Sequence, residues 1–146
     1  MRGGVVTIRR QLCSERKDVR EFLVQLNSIL SSSDFNIDSD IVIQRKKLKD
    51  DVLSPYTTEN TLLELDYDLK DIVEELKKIT IAEYHETIID RSESTGNLIK
   101  FYVFGHEINR RTVYIKVRIK HGQTREYVFC ISFHFAEYPI ARFPYA

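Results

Sequence analysis

The sequence predicts an α+β fold, with N-terminal helices packed on a C-terminal antiparallel sheet. Three observations carry this. Apolar residues at helical spacing fall in the first half of the chain, as in Val19, Phe22, Leu23, Leu26, Ile29 and Leu30. Strict alternation falls in the last third. There Val113, Ile115, Val117 and Ile119 alternate with Tyr114, Lys116, Arg118 and Lys120. Tyr127, Phe129, Ile131, Phe133 and Phe135 likewise alternate with Val128, Cys130, Ser132 and His134. Helices first and strands afterwards is the α+β order. The 146 residues fit one domain, 1–146, with 1–57 as an extension of helix plus strand and 58–146 as the core.

Taken in order, residues 5–10 read either as a short strand or as a mobile end. Ser14 is placed as an N-cap, with Glu15 and Asp18 in the first turn where acids suit the helix dipole, so 15–31 is an amphipathic helix. Ile37 to Gln44 has a β-branched centre and reads as a strand. The charge run Arg45, Lys46, Lys47 and Lys49 reads as a solvated loop, and Ser54-Pro55-Tyr56 breaks the chain. Thr58 opens a short helix. Asp68 caps another over 69–78, whose stripe is Leu69, Ile72, Val73 and Leu76. Thr80-Ile81-Ala82-Glu83 has capping-box spacing and predicts one more brief turn.

Tyr84 to Asp90 starts the sheet-forming half, and residues 91–97 form a polar loop. Leu98 to Phe104 is a strand, and Gly105 to Arg111 a loop or hairpin. The two alternating segments then pair across a turn at His121-Gly122-Gln123-Thr124. Their apolar sets predict the core face. The prolines of the tail, Pro139 and Pro144, exclude regular helix, and its aromatic residues predict that it packs across the domain.

Hydrophobic residues make up 42% and charged residues 30% of the chain, the balance of an ordinary globular protein. Zero formal net charge excludes a global pull toward nucleic acid or membrane. From Gly96 on, however, Lys100, Arg110, Arg111, Lys116, Arg118, Lys120, Arg125 and Arg142 face only Glu107, Glu126 and Glu137, which makes a local basic surface. Cys13 and Cys130 have neither zinc nor redox spacing and read as two reduced thiols of a cytoplasmic protein. No stretch approaches the ~20 apolar residues of a membrane span, and no signal peptide is read.

The chemistry that remains is narrow. His106-Glu107 lacks a second His four residues on, so neither a metal nor another cofactor is expected. Ser132 has no glycine-rich elbow around it, and no glycine loop cradles a phosphate. RNA supplies its own nucleophile, the 2′-hydroxyl, and needs only proton transfer and neutralisation of the crowded phosphate. Tyr114, Lys116 and His134 offer those groups on one predicted strand face, and His85 begins a neighbouring strand.

Four segments carry a resemblance: Leu65-Asp66-Tyr67-Asp68 with its helix, Ile79 to His85, Val113-Tyr114-Ile115-Lys116, and Ile131-Ser132-Phe133-His134. Over about residues 62–135 the chain resembles the MqsR-type toxins of bacterial type II toxin–antitoxin systems. The resemblance implies a RelE-like core and metal-independent cleavage of messenger RNA. It also implies an antitoxin partner that covers the site. It puts catalytic roles on Tyr114, His134 and His85, where the two histidines stand at positions the family fills with lysine. Lys116 is then expected to hold the phosphate, and Arg118, Lys120, His106 and Arg110 to bind RNA. The other reading of the same residues is a non-catalytic RNA- or protein-binding module.

Overall fold

The computed structural model describes residues 7–92 and 98–146; Val5, Val6 and most of the 91–97 loop lie outside them. The order is β1 (Thr7–Leu12), α1 (Arg16–Leu30), β2 (Ile41–Ile43), α2 (Thr58–Leu65), α3 (Leu69–Lys77), a 3₁₀ turn (Ile81–Glu83), β3 (Tyr84–Ser92), β4 (Leu98–Ile108), β5 (Arg111–His121) and β6 (Glu126–Phe135). The mixture of helices and one sheet is the α+β class. The sheet has six strands in the order β1-β3-β4-β5-β6-β2. The C-terminal strands β3 to β6 pair antiparallel, and β2 of the extension runs parallel to β6, with Val42 opposite Phe129. The first forty-odd residues therefore supply both edges of the sheet.

The core joins Val19, Phe22, Leu26 and Leu30 of α1, Leu62 of α2, and Ile72, Val73 and Leu76 of α3 to inward residues of the strands. Phe22 stacks on Tyr102 at 4.1 Å. Each such buried side chain contributes about 1.5–3 kcal/mol of transfer energy. Capping fixes the helix starts. Asp68 and Asp71 form a reciprocal box at α3, and Thr80 and Glu83 form one at the 3₁₀ turn. Ser14 is not the cap of α1. Its hydroxyl lies 2.6 Å from Thr87 Oγ1, its N–H donates to the Tyr84 hydroxyl, and Glu15 takes the N-cap position. A buried hydroxyl goes to a buried partner before it serves a helix end that water can reach.

Of the two readings of Gly105 to Arg111, loop or hairpin, the structure has the hairpin. β4 continues to Ile108, and a two-residue turn at Asn109 (φ 52°) and Arg110 (φ 66°) leads into β5. Across β5 and β6, Lys116 is opposite Ser132 and Val117 is opposite Cys130, so Ile131 is the extra residue of a bulge. The bulge inverts the expected phase of half a strand. Val128 and Cys130 join Phe133 and Phe135 in the core, whereas Tyr127 and Phe129 turn to the other face.

Past the end of β2, the edge of β6 is covered by side chains. Thr58 Oγ1 accepts from the Phe133 N–H (3.2 Å) and Thr61 Oγ1 from the Phe135 N–H (3.0 Å). Two hydroxyls of α2 thus replace a missing strand. The tail after β6 packs across the domain as its aromatic content predicts. A Cβ on Gly105 would lie 2.8 Å from Ile140 Cδ1 and 2.9 Å from Phe143 Cζ, so only glycine lets the tail lie this close. Farther on, the Tyr145 ring stacks on Tyr84 at 5.7 Å and its hydroxyl donates to the Ser14 carbonyl.

Candidate functional site

The sheet face that alternates with the core carries two adjacent rungs of β5 and β6. Tyr114 is opposite His134, and Lys116 is opposite Ser132. The Tyr114 and His134 rings are stacked, with centroids 5.1 Å apart and planes 17° from parallel. A cross-strand pair of this kind adds about 0.5–1.5 kcal/mol beyond the area it buries. Here it also fixes the imidazole.

His134 Nδ1 lies 3.0 Å from the carbonyl oxygen of Phe135. A carbonyl can only accept, so Nδ1 carries the proton, and Nε2 is the basic nitrogen of the neutral ring. Burial pulls the His134 pKa below its ordinary 6.5. The charge of Lys47 adds to that, against the Phe135 hydrogen bond, Asp50 and Glu137. The ring is thereby kept in its basic form at neutral pH.

Lys47 is the residue that the sequence reading missed. The loop after β2 carries it onto this face, where Nζ donates to Ser132 Oγ at 2.8 Å. Its backbone N–H donates to Asp50 Oδ2 at 2.9 Å, a local turn that aims the side chain. Burial lowers the Lys47 pKa, opposed by Asp50 and Cys130. The three-residue spacing of Lys47 and Asp50 is visible in the sequence, but nothing there connects it to Ser132.

Along β5 the cations continue at alternate positions, about 6.7 Å apart on an extended strand. Lys116 Nζ lies 4.9 Å and Arg118 Cζ 5.6 Å from the centroid of the Phe101 ring. Lys120 Nζ lies 5.0 Å from the Phe129 ring and 5.8 Å from Tyr127. Phe101 and Phe129 touch at 6.2 Å. Phe101 of β4, together with the Phe129 and Tyr127 rings that the bulge turns to this face, thus lies along a row of cations.

The remaining expected site residues lie elsewhere. His106 is buried on the core side, its Nδ1 2.8 Å from Glu83 and its Nε2 2.9 Å from Glu75. Burial works to lower its pKa, but the hydrogen bonds and charges of Glu83 and Glu75 outweigh it and raise the pKa. It lies on the opposite side of the sheet from Tyr114 and His134, apart from the other residues expected to bind RNA, and clasps α3, the 3₁₀ turn and β4 together. His85 sits at the bulge of β3, with Nδ1 2.7 Å from the Arg142 carbonyl. Three strand spacings, about 14 Å, separate β3 from β6, and Ile140 and Phe143 cover Gly105 in between. His85 and His134 therefore cannot share one phosphate as an acid–base pair.

Arg110 is exposed in the β4–β5 turn, away from the two rungs. Two other members of the basic stretch are already paired. Arg111 pairs with Glu64 and lies over the Phe135 ring, and Arg125 pairs with the buried Asp40 at 2.6 Å. Burial pushes the Cys130 thiol up to about 12, and both cysteines are free. Among the described residues, no three His, Cys, Asp or Glu side chains are grouped to hold a metal, and no helix is long and apolar enough to cross a membrane. No family model, no curated protein and no solved structure matches the chain.

Proposed function

We propose that this chain is a metal-independent endoribonuclease with a RelE-like core, the toxin of a bacterial toxin–antitoxin pair that acts on messenger RNA in the cytoplasm. The observation that carries the reading is the Tyr114–His134 stack one rung from Lys116, on the face turned away from the core. The toxin assignment, and with it an antitoxin that covers this face, comes from the resemblance to MqsR-type toxins.

His134 Nε2 takes the proton of a 2′-hydroxyl as its oxygen bonds to phosphorus. Lys116 and Tyr114 hold the non-bridging oxygens while negative charge builds on them. The bond from phosphorus to the 5′ oxygen breaks, leaving a 2′,3′-cyclic phosphate and a 5′-hydroxyl. Arg118 and Lys120 bind the phosphates of the flanking strand, supported by the rings beneath them.

The test is incubation of partner-free protein with messenger RNA, with and without chelator. The expected result is a chelator-insensitive cut that His134→Ala slows by about 10²–10⁴-fold; no cut at any protein concentration overturns the reading. The row of cations along β5 favours a second reading, RNA binding without cleavage. Salt-dependent binding that yields no product would select it.

A further inference from the structure

We propose that Lys47 is the general acid of this site, the group that gives a proton to the departing 5′ oxygen. The inference rests on the ribonuclease reading above, and it assigns a step for which the expected partner, His85, is too distant. Three observations carry it. Lys47 Nζ is fixed 2.8 Å from Ser132 Oγ, and Ser132 is opposite Lys116 and two residues from His134 on the same strand face. One of the three ammonium N–H groups is taken by Ser132, and the others can be offered to a ligand. The side chain is half-buried, and its backbone is tied to Asp50, so the ammonium reaches the site without a loop rearrangement.

The chemistry balances. The 2′ oxygen forms its bond to phosphorus as its proton passes to His134 Nε2. The bond to the 5′ oxygen breaks as Lys47 delivers a proton to that oxygen. The products are a cyclic phosphodiester and an alcohol, with His134 left as imidazolium and Lys47 as a neutral amine. Exchange with water restores both. The ionisable groups acting on Lys47 are Asp50 on its own loop and Cys130 and His134 on β6, and Lys116 of β5 stands opposite Ser132 in the register. Burial lowers the Lys47 pKa, which makes the ammonium a better acid near neutrality.

The experiment uses an oligoribonucleotide spanning a cut site mapped on messenger RNA, in two forms: one with the natural 5′ oxygen and one with sulfur bridging at that position. Sulfur leaves without needing a proton. Lys47→Ala is expected to slow single-turnover cleavage of the oxygen substrate by about 10²–10⁴-fold and to cut the sulfur substrate at nearly the wild-type rate. Lys47→Arg keeps the charge but cannot release a proton near neutrality, and it is expected to show the same pattern, which separates proton donation from folding and phosphate binding. Equal loss on both substrates, or no loss on either, overturns the role of Lys47 and leaves the ribonuclease standing. Absence of any cut by the wild type overturns the ribonuclease and Lys47's role with it.

Discussion

Lys116 faces Ser132 across two antiparallel strands, one rung past a bulge that skips Ile131. That extra residue lets Phe133 and Phe135 point into the core while Ser132 and His134 share a face with Phe129 and Tyr127. A one-residue change of register sends every later side chain to the opposite face. Deleting Ile131 is expected to force either Val128 and Cys130 or Phe133 and Phe135 out of the core. Loss of one buried Phe alone costs about 3–5 kcal/mol. Urea denaturation followed by circular dichroism should show no cooperative transition for the deletion, whereas Ile131→Val keeps one.

If the proposed ribonuclease reading holds, His134 sets the acid side of the activity profile. Its pKa lies below 6.5 because the ring is buried and Lys47 is near, so the basic form dominates at neutral pH and is lost on acidification. Cleavage is expected to rise with pH through a single ionisation below 6.5 and to level off by neutrality. His134→Ala should reduce the rate about 10²–10⁴-fold. Single-turnover rates from pH 4.5 to 8 test both statements.

His106 contributes to stability in a defined pH range. Its folded pKa is above 6.5, so its contribution is complete below 6.5 and is lost as pH rises through the folded value. Glu75 and Glu83 are held below 4.5, because their hydrogen bonds outweigh the burial that opposes them. Their contribution is present above 4.5 and is lost as pH falls through the folded values. The clasp is therefore strongest between about 4.5 and 6.5. His106→Gln is expected to cost about 2–3 kcal/mol there, less than for a fully buried ion pair because Glu83 keeps contact with water. The gap between the wild-type and variant urea curves should narrow toward pH 8. His134, whose pKa is shifted the other way, contributes equally to both curves and cancels.

The hydroxyls that cover the β6 edge can be tested separately. Thr58→Val and Thr61→Val keep shape but leave the N–H groups of Phe133 and Phe135 without their partners. Each is expected to cost about 1–3 kcal/mol. Amide hydrogen exchange should speed up at the residue whose hydroxyl partner is gone.

Much of this was legible because local pattern and fold agree. α1 and α3 announce themselves by spacing, Asp68 and Thr80 by capping chemistry, and β5 by alternation between aliphatic groups and Tyr114, Lys116, Arg118 and Lys120. β6 was misleading because its second set is apolar in the first half (Val128, Cys130) and polar in the second (Ser132, His134), so period two cannot say which set is inside once a bulge resets it. His106 looked like a loop residue because Gly105, His106 and Glu107 are poor strand formers. Its carboxylate partners lie 23 and 31 residues away in sequence, beyond any local signal. Lys47 was hidden in a charge run, and only the return of that loop beside Ser132 sets it apart from its neighbours.

The placement of β1 and β2 at opposite margins of the sheet has a kinetic consequence. Both precede their partners in the chain, and β2 has to find Phe129 and β1 has to find β3, so β2 cannot dock before β6 is in place, nor β1 before β3. Long loops must close before those pairings repay their entropy, which slows assembly. Refolding should therefore proceed from the middle of the sheet outward, with amides of β4 and β5 protected first and those of Ile41–Ile43 last.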